Sequence, residues 1–309
     1  MRGIKGAATG VVAATSVLAL AACGPLGSSA SGGDKASTPA GTATTTAKSP
    51  LSGVAHAVDA LDLVKKAASG VHSAKVESTI SLGTTMTMTS KGALDWGHGL
   101  TGTMKLAYSG GSVAESLRQA GAPTTMDARY LPDAYYVNMG PTMATQLGGR
   151  HWIKYSYDDL AKLTGGAGSY LKDTIQNNNP VKSVDAALAS PDSKAVGTQT
   201  VRGVQTTHYT STVDVEDFTG KQVPNLTAAE LSELRDTLAK AGVTSETIDL
   251  WVSKDNLPVE ALVTANTKSG TMKTTTYYSD FGTSVTTEAP AASDSKDFGD
   301  LMKEQQQDN

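Results

Sequence analysis

Among 309 residues there is one cysteine, Cys23, so no disulfide within the chain can brace the fold and packing alone must hold it. Aromatic side chains make up only 5 %, with three phenylalanines among them. Thr, Ser, Ala and Gly dominate, so any core is built from small and aliphatic groups. Basic residues do not exceed acidic ones: 26 Lys and Arg stand against 30 Asp and Glu. Such a balance gives no general attraction to nucleic acid or to an anionic bilayer, and no nucleic-acid partner is expected. The five histidines, His56, His72, His98, His151 and His208, are scattered, none at metal-ligand spacing from another, so no metal site is expected. Ser109-Gly110-Gly111-Ser112 and Gly165-Gly166-Ala167-Gly168 fit neither a nucleophile elbow nor a phosphate-binding loop and read as turns. Asp158 and Asp159 are adjacent on a helix start and do not face one another as an acid–base pair would. No catalytic set is legible, and no enzymatic activity is expected. Beyond the first 22 residues no apolar run approaches the ~20 residues a spanning helix needs.

What the chain does carry begins at its start. Arg2 and Lys5 form a charged n-region, and the stretch from about Ala7 to Ala22 is an apolar h-region too short to span. Leu20-Ala21-Ala22-Cys23-Gly24 resembles a bacterial lipobox. That resemblance implies cleavage between Ala22 and Cys23 and a covalent diacylglycerol on Cys23, which becomes the first residue of the mature chain. Two or more acyl chains hold a protein stably on a membrane. The expected location is therefore the extracytoplasmic face of the cell membrane, with the membrane contact supplied by lipid. Without Arg2 and Lys5 the mature chain has 24 basic against 30 acidic residues, a formal charge of −6. From Cys23 to residue 53 large apolar side chains are almost absent, and such a segment cannot repay its ordering entropy. It reads as a flexible tether whose ends lie roughly 30 Å apart.

Next, Ala57, Val58, Leu61, Val64 and Ala68 recur with helical spacing, and Gly70 suits the helix stop. The period then changes to two. Val76, Ile80 and Leu82 alternate with polar residues, as do Met86 and Met88, and Leu100, Met104, Leu106 and Tyr108. Three consecutive strands in an antiparallel meander follow from that pattern. Further strands are expected at 125–130, 133–139 and 150–155, with Pro132-Asp133 as a turn. A helical region from Ser156 is interrupted at Gly165-Gly166, and Asn179-Pro180 opens a short helix. Strands at 194–200 and 204–215 join at Arg202-Gly203. A helix capped by Thr227 and Glu230 precedes strands at 247–253, 258–265, 271–280 and 284–288. The tail from Ala289 reads as polar and loose. The resulting division is a signal peptide at 1–22, lipidated Cys23 with its tether at 23–53, one domain at 54–290 and a C-terminal tail at 291–309.

Methionines at strand positions, Met86, Met88, Met104, Met126 and Met139, are interleaved with Gly, Ala and Thr. Flexible thioethers beside small residues tolerate irregular apolar ligands, and the same pattern also suits an ordinary core packed under helices.

Three segments carry a family resemblance: Val196 to Tyr209, Leu250-Trp251-Val252-Ser253-Lys254-Asp255-Asn256-Leu257-Pro258, and Tyr278-Ser279-Asp280-Phe281-Gly282 leading to Ala289-Pro290. They resemble strand and turn patterns of the mycobacterial LppX/LprA/LprF/LprG lipoproteins, and the order of elements agrees over most of residues 54–290. The resemblance implies an α+β fold: a strongly curved antiparallel half-barrel sheet with helices on its concave side, similar to the LolA/LolB carriers. It further implies an apolar cavity for acylated lipids, a carrier or chaperone role, and no catalytic residues. Acyl chains against the apolar sheet face make Val76, Ile80, Met86, Met88, Leu100, Met104, Leu106, Val137 and Met139 the candidate lining. No cofactor is expected apart from bound lipid and the diacylglycerol on Cys23. The alternative is an envelope sensor or interaction module of the same fold, with an envelope membrane protein as partner and no transport role.

Overall fold

The computed structural model describes residues 50–163, 166–176, 178–190, 192–217 and 226–307. Arg2, Lys5, Ala22, Cys23, the tether up to residue 49 and Gly165 lie outside the described residues. Helix α1 (Pro50–Ser69) leads into β1 (Ser73–Leu82), β2 (Met86–Asp95) and β3 (Thr101–Gly110). Helix α2 (Gly111–Gln119) follows, then β4 (Thr125–Tyr130), β5 (Ala134–Asn138), the short α3 (Gly140–Ala144) and β6 (Trp152–Ser156). Three helices, α4 (Tyr157–Leu163), α5 (Gly166–Gln176) and α6 (Pro180–Leu188), precede the hairpin of β7 (Lys194–Val201) and β8 (Val204–Asp214). Helix α7 (Ala228–Lys240) then introduces β9 (Ser245–Ser253), β10 (Pro258–Thr267) and β11 (Gly270–Ser279), and the chain closes with β12 (Ser295–Asp297) and α8 (Phe298–Gln307).

All twelve strands form one curved, unclosed sheet in the order β12-β6-β5-β4-β3-β2-β1-β11-β10-β9-β8-β7. Neighbours run antiparallel except β12, which lies parallel to β6. The join between the two meanders is β1 against β11, where Val76 stands opposite Tyr278. The fold class is thus the α+β half-barrel expected from the resemblance.

Local chemistry accounts for the elements. Strict alternation in β1 to β3 puts the even-numbered residues on one face and Lys75, Glu77, Lys91 and Lys105 on the other. Arg202 and Gly203 both have positive φ, 48° and 86°, which is the two-residue turn whose twist matches a hairpin. At Gly92 a Cβ would fall 1.9 Å from the Thr103 carbonyl oxygen and 2.9 Å from the Met104 sulfur, so only glycine lets β3 approach there. Asn179 caps α6 by accepting from the Lys182 N–H, with Pro180 in the first turn. Thr227 and Glu230 form a reciprocal capping box on α7.

The core lies on one side of the sheet. Leu61 and Val64 of α1, Leu117 of α2, Leu160 of α4, Val184 of α6, and Leu234 and Leu238 of α7 share one cluster with Val76, Met86, Met104, Ile248 and Leu250. Among the described residues the outer face has two small clusters, Ala134–Tyr136–Trp152 and Val201–Trp251–Val259.

Several expectations need correction. Residues 284–288 form no strand. They belong to an extended strap, fixed where the Ser73 hydroxyl donates to the Thr283 carbonyl and the Arg129 guanidinium to that of Glu288. The tail beyond Ala289 is not loose, because Ser295–Asp297 pairs with β6 and Phe298 of α8 packs against Tyr155. Helices α2, α3 and α8 were not foreseen. Met139 lies just past β5, at the N-cap of α3, rather than within a strand.

Candidate ligand-binding face

The register assembles the apolar face row by row. One row crosses Leu106, Ser90, Ser78, Thr276 and Ala261, and the next crosses Tyr108, Met88, Ile80, Thr274 and Val263. Ser78 and Thr276 share a 3.1 Å hydrogen bond between their hydroxyls. Short side chains thus run through the first row from Ser90 to Ala261, and the second sets Thr274 between Ile80 and Val263. Ser78, Ile80, Ser90, Gly92, Val263, Met272 and Thr274 all keep part of their surface accessible, whereas Val76, Met88, Met104 and Leu106 are buried.

All nine expected lining positions meet on this side. Val76, Met86, Met88, Leu100, Met104, Leu106, Val137 and Met139 are buried members of the one core cluster, and Ile80 is part-buried against it. The second half of the face was missed: Ile248 and Leu250 of β9, Ala261 and Val263 of β10 and Tyr278 of β11 belong to the same surface. Their alternation is legible in the sequence, but the expected lining comes from the first half of the chain alone. Burial pushes the phenol of Tyr278 upward, and Ser183 of α6 partly offsets that.

One carboxyl lies on this surface. Glu246 stands in register between Val213 and Ala265, both buried. Desolvation there pushes it up to about 7. At the far end, around β4 to β6, sits a tyrosine cluster. Tyr135 stacks on Tyr155 at 4.7 Å and on Tyr130 at 5.8 Å, and burial lifts Tyr130 to about 12 and Tyr135 upward as well.

The outer face carries paired charges: Lys75 with Asp280, Lys105 with Asp127, and Glu77 with both Lys91 and Arg202. The Arg202 guanidinium also lies 3.6 Å from the centre of the Tyr277 ring. His151 bonds Asp294, and His208 bonds Asp249 while stacking on Trp251. Each of these histidines is held in a strand or edge contact of its own. Among the described residues no group of three His, Cys, Asp or Glu side chains is placed to hold a metal ion. The assembled surface is suited to apolar contact: thioethers and aliphatic groups around a shallow polar seam.

No family model matches the chain. A 31.2 kDa protein of Streptomyces griseus, encoded between rplA and rplJ, is 47 % identical over 247 residues, 80 % of this chain and 81 % of its own. A Streptomyces coelicolor protein whose name assigns it to the lipoproteins is 38 % identical over 301 residues, 95 % of each chain. The structure defines an unclosed α+β half-barrel with one apolar, helix-covered face. The chain belongs to the family of these two Streptomyces proteins. Among solved structures it is similar to the Mycobacterium tuberculosis lipoprotein LppX, at 14 % identity and a TM-score of 0.45 over 76 % of this chain and 99 % of the other. LprF of Mycobacterium bovis is similar to the same degree, with 14 % identity and a TM-score of 0.45 over 77 % and 98 %.

Proposed function

We propose that this protein is an envelope lipoprotein, anchored to the extracytoplasmic face of the cell membrane through a diacylglycerol on Cys23. Its concave face takes the acyl chains of a lipid, and it serves as a carrier or chaperone for that lipid. The observation that carries this reading is the pattern of accessibility across the sheet. The central positions Ser78, Ile80, Ser90, Val263 and Thr274 stay part-exposed on the very side where α1, α6 and α7 pack. A face made to bury helices alone would be tightest at its middle, since interiors pack close to crystal density. Here Ser78, Ser90 and Thr274 set short side chains beside Ile80 and Val263, which supports a face that takes the chains of another molecule.

Burying each ligand methylene contributes about 0.8 kcal/mol, so a dozen methylenes suffice for firm binding without polar recognition. The name of the Streptomyces coelicolor relative supports the anchor. Native mass spectrometry of the mature protein, purified without denaturation, tests the reading. It is expected to show a population heavier by the mass of a lipid, exchangeable for added diacylated lipid. Apo protein alone, with no uptake of added lipid, would overturn it.

A further inference from the structure

At the β4–β6 end of the concave face the aromatic cluster contains two hydroxyls that the fold itself does not use. Tyr155 is 0 % exposed and Tyr157 1 %, and among the described residues neither hydroxyl finds a hydrogen-bond partner. Their rings are well packed: Tyr155 lies between Tyr135 at 4.7 Å and Phe298 at 4.9 Å, and Tyr157 meets Tyr135 at 6.1 Å. Phenylalanine at both positions would make the same ring contacts without stranding a polar atom, and stranded buried donors cost stability.

The tyrosines also act on one another. Tyr108 of β3 is near enough to Tyr130, Tyr135 and Tyr155 to oppose their ionisation, and Tyr130 does the same to Tyr157. Burial pushes the phenols of Tyr155 and Tyr157 upward, so both stay O–H donors at physiological pH. Among the described residues the charge that acts on Tyr157 is that of Asp133, and it too opposes ionisation of the phenol. The surroundings thus disfavour a phosphate or carboxylate and suit an uncharged oxygen acceptor. Tyr135, Tyr155 and Tyr157 belong to the same core cluster as Met104 and Val137.

Resting on the lipid-binding reading above, we propose that Tyr155 and Tyr157 hold the ester end of the bound lipid, donating to the carbonyl oxygen of an acyl ester. The protein then selects ester-linked acylglycerols over ether-linked analogues of equal chain length. An ether oxygen is a weak acceptor and has no carbonyl to reach the phenols, while the apolar contacts are unchanged.

The test uses the mature, full-length lipoprotein in micelles of an ester-free detergent, with dioleoylglycerol and its dioleyl ether counterpart titrated by native mass spectrometry. Wild type is expected to bind the ester about tenfold more tightly, the worth of one added neutral hydrogen bond. The double variant Tyr155→Phe, Tyr157→Phe is expected to bind the two lipids equally, with ether affinity unchanged and, without lipid, a melting temperature equal to or above that of wild type. A wild type that binds both lipids alike overturns the proposal, as does a double variant that keeps the ester preference. Failure of wild type to bind either lipid overturns the lipid-binding reading itself, and this one with it.

Discussion

Glu246 is the residue at which the apolar face announces its own cost. Its neighbours in register, Val213 and Ala265, are buried, and burial holds its carboxyl up at about 7 against an ordinary 4.5. A raised carboxyl in the folded state means that folding takes up a proton. The resulting stability is fully present below the ordinary carboxylate range and is lost as pH rises through about 7. Glu246→Gln removes the ionisation, so the variant is expected to match wild type near pH 5 and to be more stable at pH 8, by up to about 3 kcal/mol. Thermal melts across that range check it, and a difference independent of pH would contradict the assignment. Single residues were also where sequence reading was most uneven. Val76, Met88 and Met104 declared their face through alternation with Lys and Thr. Tyr155 and Tyr157 did not, because the run Trp152-Ile153-Lys154-Tyr155 buries side chains on both faces and breaks the period. The outer side there is covered by the cluster of Ala134, Tyr136 and Trp152.

At the scale of elements, the meander β1–β3, the hairpin at Arg202-Gly203 and the capped helix α7 followed directly from period, turn and cap chemistry. Three short helices did not. The α2 helix opens at Gly110-Gly111 without a side-chain cap, and only Ala114 and Leu117 are buried. The strap at 284–288 imitates a strand because residues 281–288 alternate between part-buried and exposed, yet it rests on the protein without joining a ladder. Among its described side chains helix α8 presents Phe298 and Leu301 to the core, too few to mark a helix against a polar background. Phe298 gives that segment its hold, through the contact with Tyr155. Phe298→Ala is expected to cost about 2 kcal/mol, below the figure for a fully buried phenylalanine. It should also raise hydrogen exchange across residues 295–307. Unchanged protection in that segment would show that α8 is held by something other than this ring.

The whole molecule is a sheet that never closes, and its two free edges are blunted differently. The outermost β12 is only three residues long and runs straight into α8. At the opposite end β7 is exposed over most of its length, with Lys194 at its start and an irregular register between Ala195 and Gly197. Short edges, edge lysines and bulges all discourage strand addition by another chain. Among the described residues no helix is long and apolar enough to cross a membrane. The half-barrel itself could be inferred from resemblance rather than from composition, because curvature depends on register and close approaches, such as that at Gly92, which no hydropathy pattern displays. The pairing of Ser78 with Ser90 was equally invisible in the sequence, since only the register sets them side by side.

The account turns on where acyl chains lie. Photolabelling the mature protein with a diacyl lipid carrying a photoactivatable group in its tail, followed by peptide mapping, tests this directly. Adducts are expected within β1, β2, β10 and β11, at or beside Ile80, Ser90, Val263 and Thr274. Labelling confined to outer-face residues such as Lys91, Arg202 or Tyr277 would contradict it.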